Sequence, residues 1–318
     1  PGVAPVPGKS TVTATVLWGA NNIYSLRADD GRVFEHVRLK GKTLPGTEEE
    51  HNPLAPGDVV ELDETGGTAR ILRRVERRNT VLRWNRTRHR MQAIAANADR
   101  LCIVASAGTP VYRAAFVDRV LVMAELEEIP AMIVVNKSDL PLSDDATEHL
   151  EVLQSVGYAV VATAATVDDD TGVATLTRML SGQVSVFFGQ SGVGKSSLIN
   201  ALVPGLDLAT GDVSRRYRRG RHTTTLARQV LVHGERGDTV YIDTPGVREY
   251  DLFGYGVTEV AAGFREFRAE LSDCAMPGCT HVHEPRCAVR AAVAAGRIHQ
   301  RRYEAYCRVA QTLQGAGS

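Results

Sequence analysis

The pattern of hydrophobic and polar positions divides the chain into three parts. From about residue 10 to 82, short β-branched runs alternate with turn sequences such as DDG, PGD and TGG, which predicts about five short strands. Short strands at this density favour a small barrel of the oligonucleotide-binding (OB) type, with an SH3-like barrel as the alternative. We expect residues 1–9, ahead of the first strand, to be flexible.

The middle part, 83–257, alternates buried apolar runs with amphipathic helical segments. Its predicted strands are 99–106, 131–136, 157–164, 183–189 and 239–246, and its predicted helices are 113–128 and 143–156. This alternation is typical of a doubly wound parallel sheet. The last part, 258–318, is helical apart from a stretch rich in cysteine and histidine. We therefore predict a multidomain α/β protein with a barrel, an α/β domain and a helical C-terminal domain.

Lysine plus arginine and aspartate plus glutamate balance at 37 each, so net charge argues for no nucleic-acid partner. Residues 70–90 nevertheless contain nine arginines and only one acidic residue, and residues 214–222 contain five more arginines. Such runs usually form a solvated face, but two of them modestly favour a surface for a polyanion.

No apolar stretch approaches the roughly 18 residues that a membrane span needs, and the N-terminus lacks a signal-peptide pattern. The cysteines number five, and three of them cluster near a histidine, which argues against a disulfide scaffold and for a reducing compartment. We expect a cytoplasmic monomer with no membrane association, and we interpret Cys102 and Cys307 as structural.

Residues 189–196, GQSGVGKS, match the phosphate-binding loop pattern G-x-x-x-x-G-K-[ST]. Glycines let backbone N–H groups surround phosphate oxygens, Lys195 can reach the β and γ phosphates, and the Ser196 hydroxyl can bind Mg²⁺. A predicted strand before and a helix after supply the required context; the alternative is a glycine-rich turn with an exposed lysine. The predicted nucleotide contacts are Gly189, Gln190, Ser191, Gly192, Val193, Gly194, Lys195, Ser196 and Ser197.

A second motif, DTPG, follows the last predicted strand. Asp243 can hold Mg²⁺ through water, and the Gly246 N–H can sense a γ-phosphate. A plain strand-to-turn signal would give the same letters.

The sequence NKSD at 136–139 ends another predicted strand, at the sheet edge where α/β proteins bind ligands. The Asp139 carboxylate can accept from two guanine N–H groups that adenine does not offer, so it would select GTP over ATP. Asn136 would tether neighbouring loops, and Lys137 would lie along the base. Ser138 is a further predicted nucleotide contact of this segment. Thr163 and Ala164 form a weaker second base loop.

The base-reading loop, NKSD at 136–139, precedes the phosphate-binding loop at 189–196. This order is the reverse of that in an ordinary GTP-binding domain. Because all nucleotide-binding loops lie at one edge of a parallel sheet, a circular permutation leaves that edge intact. We predict such a permutation, with the old ends joined through about residues 165–183.

The cysteine-rich stretch follows C-x₄-C-x-H-x₅-C. Cys274, Cys279, His281 and Cys287 could form a closed, tetrahedral and therefore structural Zn²⁺ site. His283 is a second candidate that spacing alone does not exclude.

The order of these motifs resembles the RsgA (YjeQ) family of GTPases dependent on the small ribosomal subunit. Further matching stretches are ERRNTVLRW (76–84), AANADRLCIVAS (95–106), GRHTTT (220–225), FREF (264–267) and HEPRCAV (283–289). The resemblance implies a bacterial protein with an OB barrel, a permuted GTPase domain and a zinc-bearing helical domain. It also implies late maturation of the 30S subunit, hydrolysis stimulated by that subunit, contact with its rRNA, and His281 as the zinc ligand.

Common GTPases position the attacking water with a glutamine after D-x-x-G, where this chain has Val247. His222 is the nearest polar substitute, and the resemblance points to it as well; the alternative is a solvated or RNA-facing histidine. One of Thr223 and Thr224 should complete the Mg²⁺ shell with Ser196, and we favour Thr224. The predicted catalytic set is therefore His222, Lys195 and Thr224.

The function that these motifs favour is hydrolysis of GTP to GDP, used as a timer while the barrel and the arginine runs hold rRNA. Three alternatives stay open at this point. They are an RNA-binding assembly factor with a regulatory nucleotide site, an ATP-hydrolysing factor, and a different permuted ribosome-assembly GTPase.

Overall fold

The computed structural model describes residues 11–41, 43–45, 47, 53–65, 68–85, 89–167, 170–206, 208, 227–234 and 237–316. The N-terminal strands are β1 (Thr11–Ala20), β2 (Ile23–Ala28), β3 (Val33–Leu39), β4 (Val59–Asp63) and β5 (Arg70–Arg74). They close into a barrel in the order β1-β2-β3-β5-β4, with β3 parallel to β5. Val16, Leu26 and Ile71 fill its interior and are fully buried. The structure confirms the predicted OB-type barrel.

A two-stranded hairpin, β6 (Thr80–Asn85) and β7 (Arg90–Ala96), follows the barrel. The sequence pattern did not predict it. Its strand β6 is fixed to the later chain, because the Tyr250 hydroxyl donates to the Leu82 carbonyl at 2.8 Å. Trp84 also meets Phe253 edge-on, with ring centroids 5.9 Å apart.

The central sheet has six strands: β8 (Arg100–Ser106), β9 (Ala131–Asn136), β10 (Ala159–Thr163), β11 (Val184–Gly189), β12 (Arg228–Val232) and β13 (Thr239–Asp243). Their spatial order is β10-β9-β8-β11-β13-β12, and only β12 runs antiparallel to its neighbour. The three strands of this sheet that come first along the chain, β8–β10, thus form one half of it, and β11–β13 form the other. This is the arrangement that a circular permutation produces.

Helices cover both faces of this sheet: α1 (Ala114–Leu126), α2 (Asp144–Ser155), α3 (Thr171–Leu180) and α4 (Lys195–Leu202). Leu101 and Ile103 of β8 pack in the core that contains α1, whereas Cys102 and Val104 pack in the core that contains α3 and α4. Successive side chains of β8 thus enter the cores on opposite faces of the sheet, which confirms a doubly wound sheet. The predicted joining segment 165–183 contains α3, which the sequence pattern had not predicted.

The C-terminal part contains α5 (Val257–Ala262), a 3₁₀ turn (Arg265–Phe267), α6 (Arg268–Leu271), α7 (Ala288–Ala294) and α8 (Gln300–Ala316). Phe264, Phe267 and Tyr306 share one hydrophobic core with α1. The helical part is therefore packed on the sheet domain through a continuous apolar contact. The domain boundaries near residues 82 and 257 stay a prediction.

The first arginine run is largely engaged within the chain. Arg77 pairs with buried Asp58 at 2.7 Å, and Arg78 pairs with Asp99 at 2.9 Å. Arg73 pairs with Glu61. Part of this run therefore holds the barrel and the sheet domain together, and the run at 214–222 lies outside the described residues. Of the helices that the structure describes, none is long and apolar enough to cross a membrane.

Candidate nucleotide site and metal knuckle

The phosphate-binding loop lies between the end of β11 and the start of α4. Gly192 and Gly194 have φ of 83° and 94°, a region that favours glycine. A Cβ at Gly189 would lie 2.3 Å from the Val104 carbonyl oxygen, and one at Gly194 would lie 2.3 Å from Asn136 Nδ2. Close packing against β8 and β9 therefore explains why glycine stands at both ends of this motif.

Lys195 begins α4 and is only 7% exposed. Its Nζ donates to the carbonyl oxygens of Gly189 at 3.1 Å and Gln190 at 3.2 Å. Burial lowers the pKa of Lys195 to about 8, although the nearby Asp243 carboxylate opposes the shift. The ammonium is thus held at the loop in a weakly solvated position where an anionic ligand would stabilise its charge.

Ser196 and Asp243 bring the two predicted Mg²⁺ positions together. The Ser196 hydroxyl donates to Asp243 Oδ2 at 2.7 Å. Asp243 Oδ1 is buried and has no hydrogen-bond partner within the described part of the chain. Burial raises the pKa of the Asp243 carboxyl, and the Ser196 hydrogen bond opposes this rise. A buried carboxylate oxygen without a partner beside a hydroxyl is a donor set that fits Mg²⁺.

The DTPG turn lies against the phosphate-binding loop. A Cβ at Gly246 would come within 2.6 Å of Ser191 Cα. The Val247 N–H donates to the Gly189 carbonyl at 3.3 Å, and Gln190 Nε2 donates to the Arg248 carbonyl at 3.2 Å. The contact of Gln190 with Arg248 could not be predicted, because it joins two loops through a backbone carbonyl.

Asn136 connects the base-reading loop to both neighbouring loops. Its side chain is 2% exposed, and Nδ2 donates to the Val193 carbonyl at 3.0 Å. Its Oδ1 accepts from Thr163 Oγ1 at 3.3 Å and from the Ala165 N–H at 3.2 Å. NKSD and GQSGVGKS are thus in direct contact in the folded chain, although the sequence separates them by about fifty positions.

The rest of the NKSD segment lies at the surface of the same edge. Lys137 has a left-handed backbone, with φ of 60°, and its Nζ donates to the Gly192 carbonyl at 2.9 Å and to the Thr109 carbonyl. Asp139 and Ser138 are exposed, and Ala164 is buried. The loop that carries Thr109 contributes to this edge, and no sequence pattern predicted its contribution.

The helix after the loop places Ser197 half-buried on α4. The predicted catalytic and magnesium residues His222, Thr223 and Thr224 lie outside the described residues.

The predicted metal ligands Cys274, Cys279, His281 and Cys287 form one cluster, with ligand atoms all within 4.8 Å of one another. His281 Nδ1 lies 3.4 Å from the sulphurs of Cys274 and Cys287. His283 is exposed and lies outside the cluster. The cluster, which we name the metal knuckle, could hold one metal ion.

The surroundings of the knuckle favour a cation. Burial raises the pKa of the Cys279 thiol to about 12 and lowers the pKa of His281, so thiolates form there only with a compensating positive charge. Burial would also raise the pKa of Glu284, but hydrogen bonds from Thr280 and the backbone outweigh it and lower the pKa to about 2. The ionised Glu284 carboxylate accepts from the N–H groups of Thr280 at 2.7 Å and Val282 at 3.1 Å, which fixes the turn around His281.

A phosphate-binding loop, a DTPG turn and an NKSD segment meet at one edge of a parallel sheet whose two halves occur in inverted order along the chain. These features define a circularly permuted P-loop GTPase fold. The chain belongs to the RsgA GTPase family, whose model matches residues 74–253.

Curated relatives match over nearly the full length. The small ribosomal subunit biogenesis GTPase RsgA of Chlorobaculum parvum is 38% identical over 316 residues, which cover 95% of this chain and 98% of the relative. The protein of the same name from Borrelia garinii subsp. bavariensis is 36% identical over 301 residues, covering 94% and 95%.

Two solved structures share the architecture. YjeQ from Thermotoga maritima superposes with a TM-score of 0.72 at 29% identity and covers 96% of this chain and 99% of that chain. YloQ, described as a circularly permuted GTPase, gives a TM-score of 0.68 at 25% identity, with coverage of 98% and 99%.

Proposed function

We propose that this chain hydrolyses GTP to GDP and phosphate and acts in biogenesis of the small ribosomal subunit. The observation that carries the proposal is Asn136, whose buried amide joins the base-reading loop to the phosphate-binding loop at 3.0 Å. A guanine nucleotide is a ligand that engages both loops at once. The partner is inferred from the name that the curated relatives share.

On the phosphate side, backbone N–H groups of residues 190–194 surround the phosphates and Lys195 contacts the β and γ oxygens. Ser196 and Thr224 would hold Mg²⁺, with Asp243 bound to it through water. When bound, the ion neutralises charge that develops on the phosphate oxygens. Gly246 lies next to Ser191, where its N–H can face a γ-phosphate.

On the base side, Asp139 accepts from guanine, the Lys137 stem lies along the ring, and the second base loop at Thr163 and Ala164 closes the pocket. Asp139→Asn should weaken GTP binding by roughly 10⁴-fold, because the amide presents a donor to a guanine donor. The same variant should gain affinity for xanthosine triphosphate, which offers an acceptor there. Isothermal titration calorimetry with GTP, xanthosine triphosphate and ATP measures this for the wild type and the variant.

The exposed neighbour Asp144, in the first turn of α2, provides a matched control. Asp144→Asn should leave all three affinities unchanged. Equal affinity of the wild type for ATP and GTP would instead favour the ATP-hydrolysing alternative.

For hydrolysis we propose His222 as the residue that orients the attacking water, since Val247 cannot. His222→Ala should lower kcat and leave nucleotide affinity near normal. An unchanged stimulated kcat would remove His222 from the mechanism.

Because Val247 replaces the usual water-positioning glutamine, one second candidate function is an RNA-binding assembly factor. Its nucleotide site would regulate its affinity for RNA and turn over little GTP. The rate of phosphate release distinguishes the two functions. An enzyme shows a large increase in phosphate release with its ribosomal partner, whereas a regulated binding protein shows tight GTP binding without that increase.

We further propose that the metal knuckle holds one structural Zn²⁺, because four protein ligands leave no open position for a substrate. Metal analysis of the purified protein should find one zinc per chain. We also propose a cytoplasmic monomer whose barrel and knuckle region contact rRNA.

A further inference from the structure

A fully buried arginine joins the last helix to the sheet domain. Arg302 on α8 is 0% exposed. Its Nη1 donates to Asp118 Oδ1 of α1 at 2.5 Å, and its Nε donates to Glu266 Oε1 of the 3₁₀ turn at 2.5 Å. The guanidinium also lies over the Phe264 ring, 4.7 Å from its centroid. Since a buried charge is tolerated only when paired, these contacts fix α8 against α1.

The same carboxylate extends the contact to α2. Asp118 Oδ1 lies 3.1 Å from Nε2 of His149, which is 1% exposed, and His149 Nδ1 lies 2.8 Å from the Tyr112 hydroxyl. Burial opposes ionisation of Asp118, but His149 and Arg302 outweigh it and hold its pKa below the ordinary value. The ionised Asp118 accepts from His149 Nε2, and the hydrogen bond between Nδ1 and the Tyr112 hydroxyl extends this chain of contacts to Tyr112.

Tyr112 lies on the loop between β8 and α1, and this loop touches the base-reading segment twice. The Ala107 N–H donates to the Asn136 carbonyl at 2.9 Å. The Thr109 carbonyl accepts from Lys137 Nζ, which also reaches the phosphate-binding loop at Gly192. The Tyr112 hydroxyl anchors this loop to α2 through its hydrogen bond with His149.

At the other end, α8 holds the metal knuckle. Tyr303, next to Arg302, donates to the His281 carbonyl at 2.9 Å, and Tyr306 donates to the Thr280 carbonyl. The turn that presents His281 is therefore fixed to the helix that Arg302 fixes to the sheet domain.

We propose that Tyr112, His149, Asp118 and Arg302 form a relay that couples nucleotide binding at the base-reading loop to the order of α8 and the knuckle. Tyr112 is then a positioning residue for Lys137. The relay rests on the proposed guanine-nucleotide site, and its coupling is reciprocal: a nucleotide that orders the loop also orders α8, and the reverse.

Hydrogen exchange followed by mass spectrometry tests the relay on the full chain. Exchange in the peptide covering α8 is measured with and without saturating GDP and Mg²⁺ for the wild type, Tyr112→Phe and Tyr255→Phe. Tyr255→Phe is the matched control, because it also removes one tyrosine hydroxyl, which donates to Glu127 Oε1 at 2.8 Å and lies off the relay. Arg302→Lys is the second relay variant, because lysine keeps the positive charge but lacks the planar guanidinium that donates to two carboxylates at once.

GDP should slow exchange in α8 about fivefold in the wild type and in Tyr255→Phe, and less than about twofold in Tyr112→Phe and Arg302→Lys. Equal slowing in Tyr112→Phe and the wild type would overturn the relay, as would a wild type that binds GDP without slowing in α8. GDP binding is titrated in the same samples, so failure to bind GDP would be recognised as failure of the proposed function itself.

Discussion

The strongest electrostatic prediction concerns Lys195 and the pH dependence of nucleotide binding. In the free protein its pKa lies at about 8, because the side chain is buried against loop carbonyls. Phosphates placed beside the ammonium raise this pKa again. The depressed pKa means that the free protein loses the Lys195 proton as pH rises through about 8, whereas the complex keeps it. GDP binding should therefore take up a proton above that pH.

The magnitude follows from simple titration. At pH 7.5 a group with this pKa is mostly protonated, so binding takes up about 0.2 proton; at pH 8.5 it takes up about 0.8. Over the same interval the GDP affinity should fall about threefold, since part of the binding free energy is used to protonate Lys195.

Isothermal titration calorimetry in two buffers with different ionisation enthalpies measures proton uptake directly. Guanosine is the control ligand, because it carries the same base without phosphates and does not approach Lys195. Proton uptake for GDP that does not rise between pH 7.5 and 8.5, or that guanosine reproduces, would refute the assignment of Lys195 to the phosphates.

Three further predictions test the local geometry. Asn136→Ala removes three hydrogen bonds, two of them fully buried, and should lower the free energy of unfolding by about 3 kcal/mol, at about 1 kcal/mol per bond, in chemical denaturation of the full chain; an unchanged midpoint would contradict the tether. Gly194→Ala places a Cβ 2.3 Å from Asn136 Nδ2 and should weaken GDP binding by more than about tenfold in calorimetry, whereas near-normal affinity would show that the loop relaxes freely. His281→Ala should abolish stoichiometric metal in elemental analysis and His283→Ala should not, and the opposite pattern would exchange their roles.

Short-range patterns were enough to predict the parts of this molecule that depend on local chemistry. Alternating apolar runs predicted the barrel and the doubly wound sheet, and the glycine spacing at 189–194 predicted the turn between β11 and α4. The inverted motif order predicted the permutation, because loops at one edge of a parallel sheet meet whatever their order along the chain.

The missed features depend on tertiary packing. An arginine in the run RIHQRRYEAY has the pattern of a surface residue, and only the approach of Asp118 and Glu266 makes Arg302 a buried side chain. Among the arginines near residue 77, Arg73 and Arg77 pair with acids from β4 and from the turn before it, and no local sequence pattern predicts these pairs. The hairpin β6–β7 lacked a recognisable turn sequence, so its strands were not predicted.

The central claim is a GTPase that acts with the small ribosomal subunit, and phosphate release from GTP tests it most directly. The rate should be measured with and without purified small subunits, with large subunits and ATP as controls. The proposed function predicts that small subunits strongly stimulate phosphate release from GTP and do not stimulate it from ATP. Slow hydrolysis that small subunits leave unchanged, despite tight GTP binding, would contradict it.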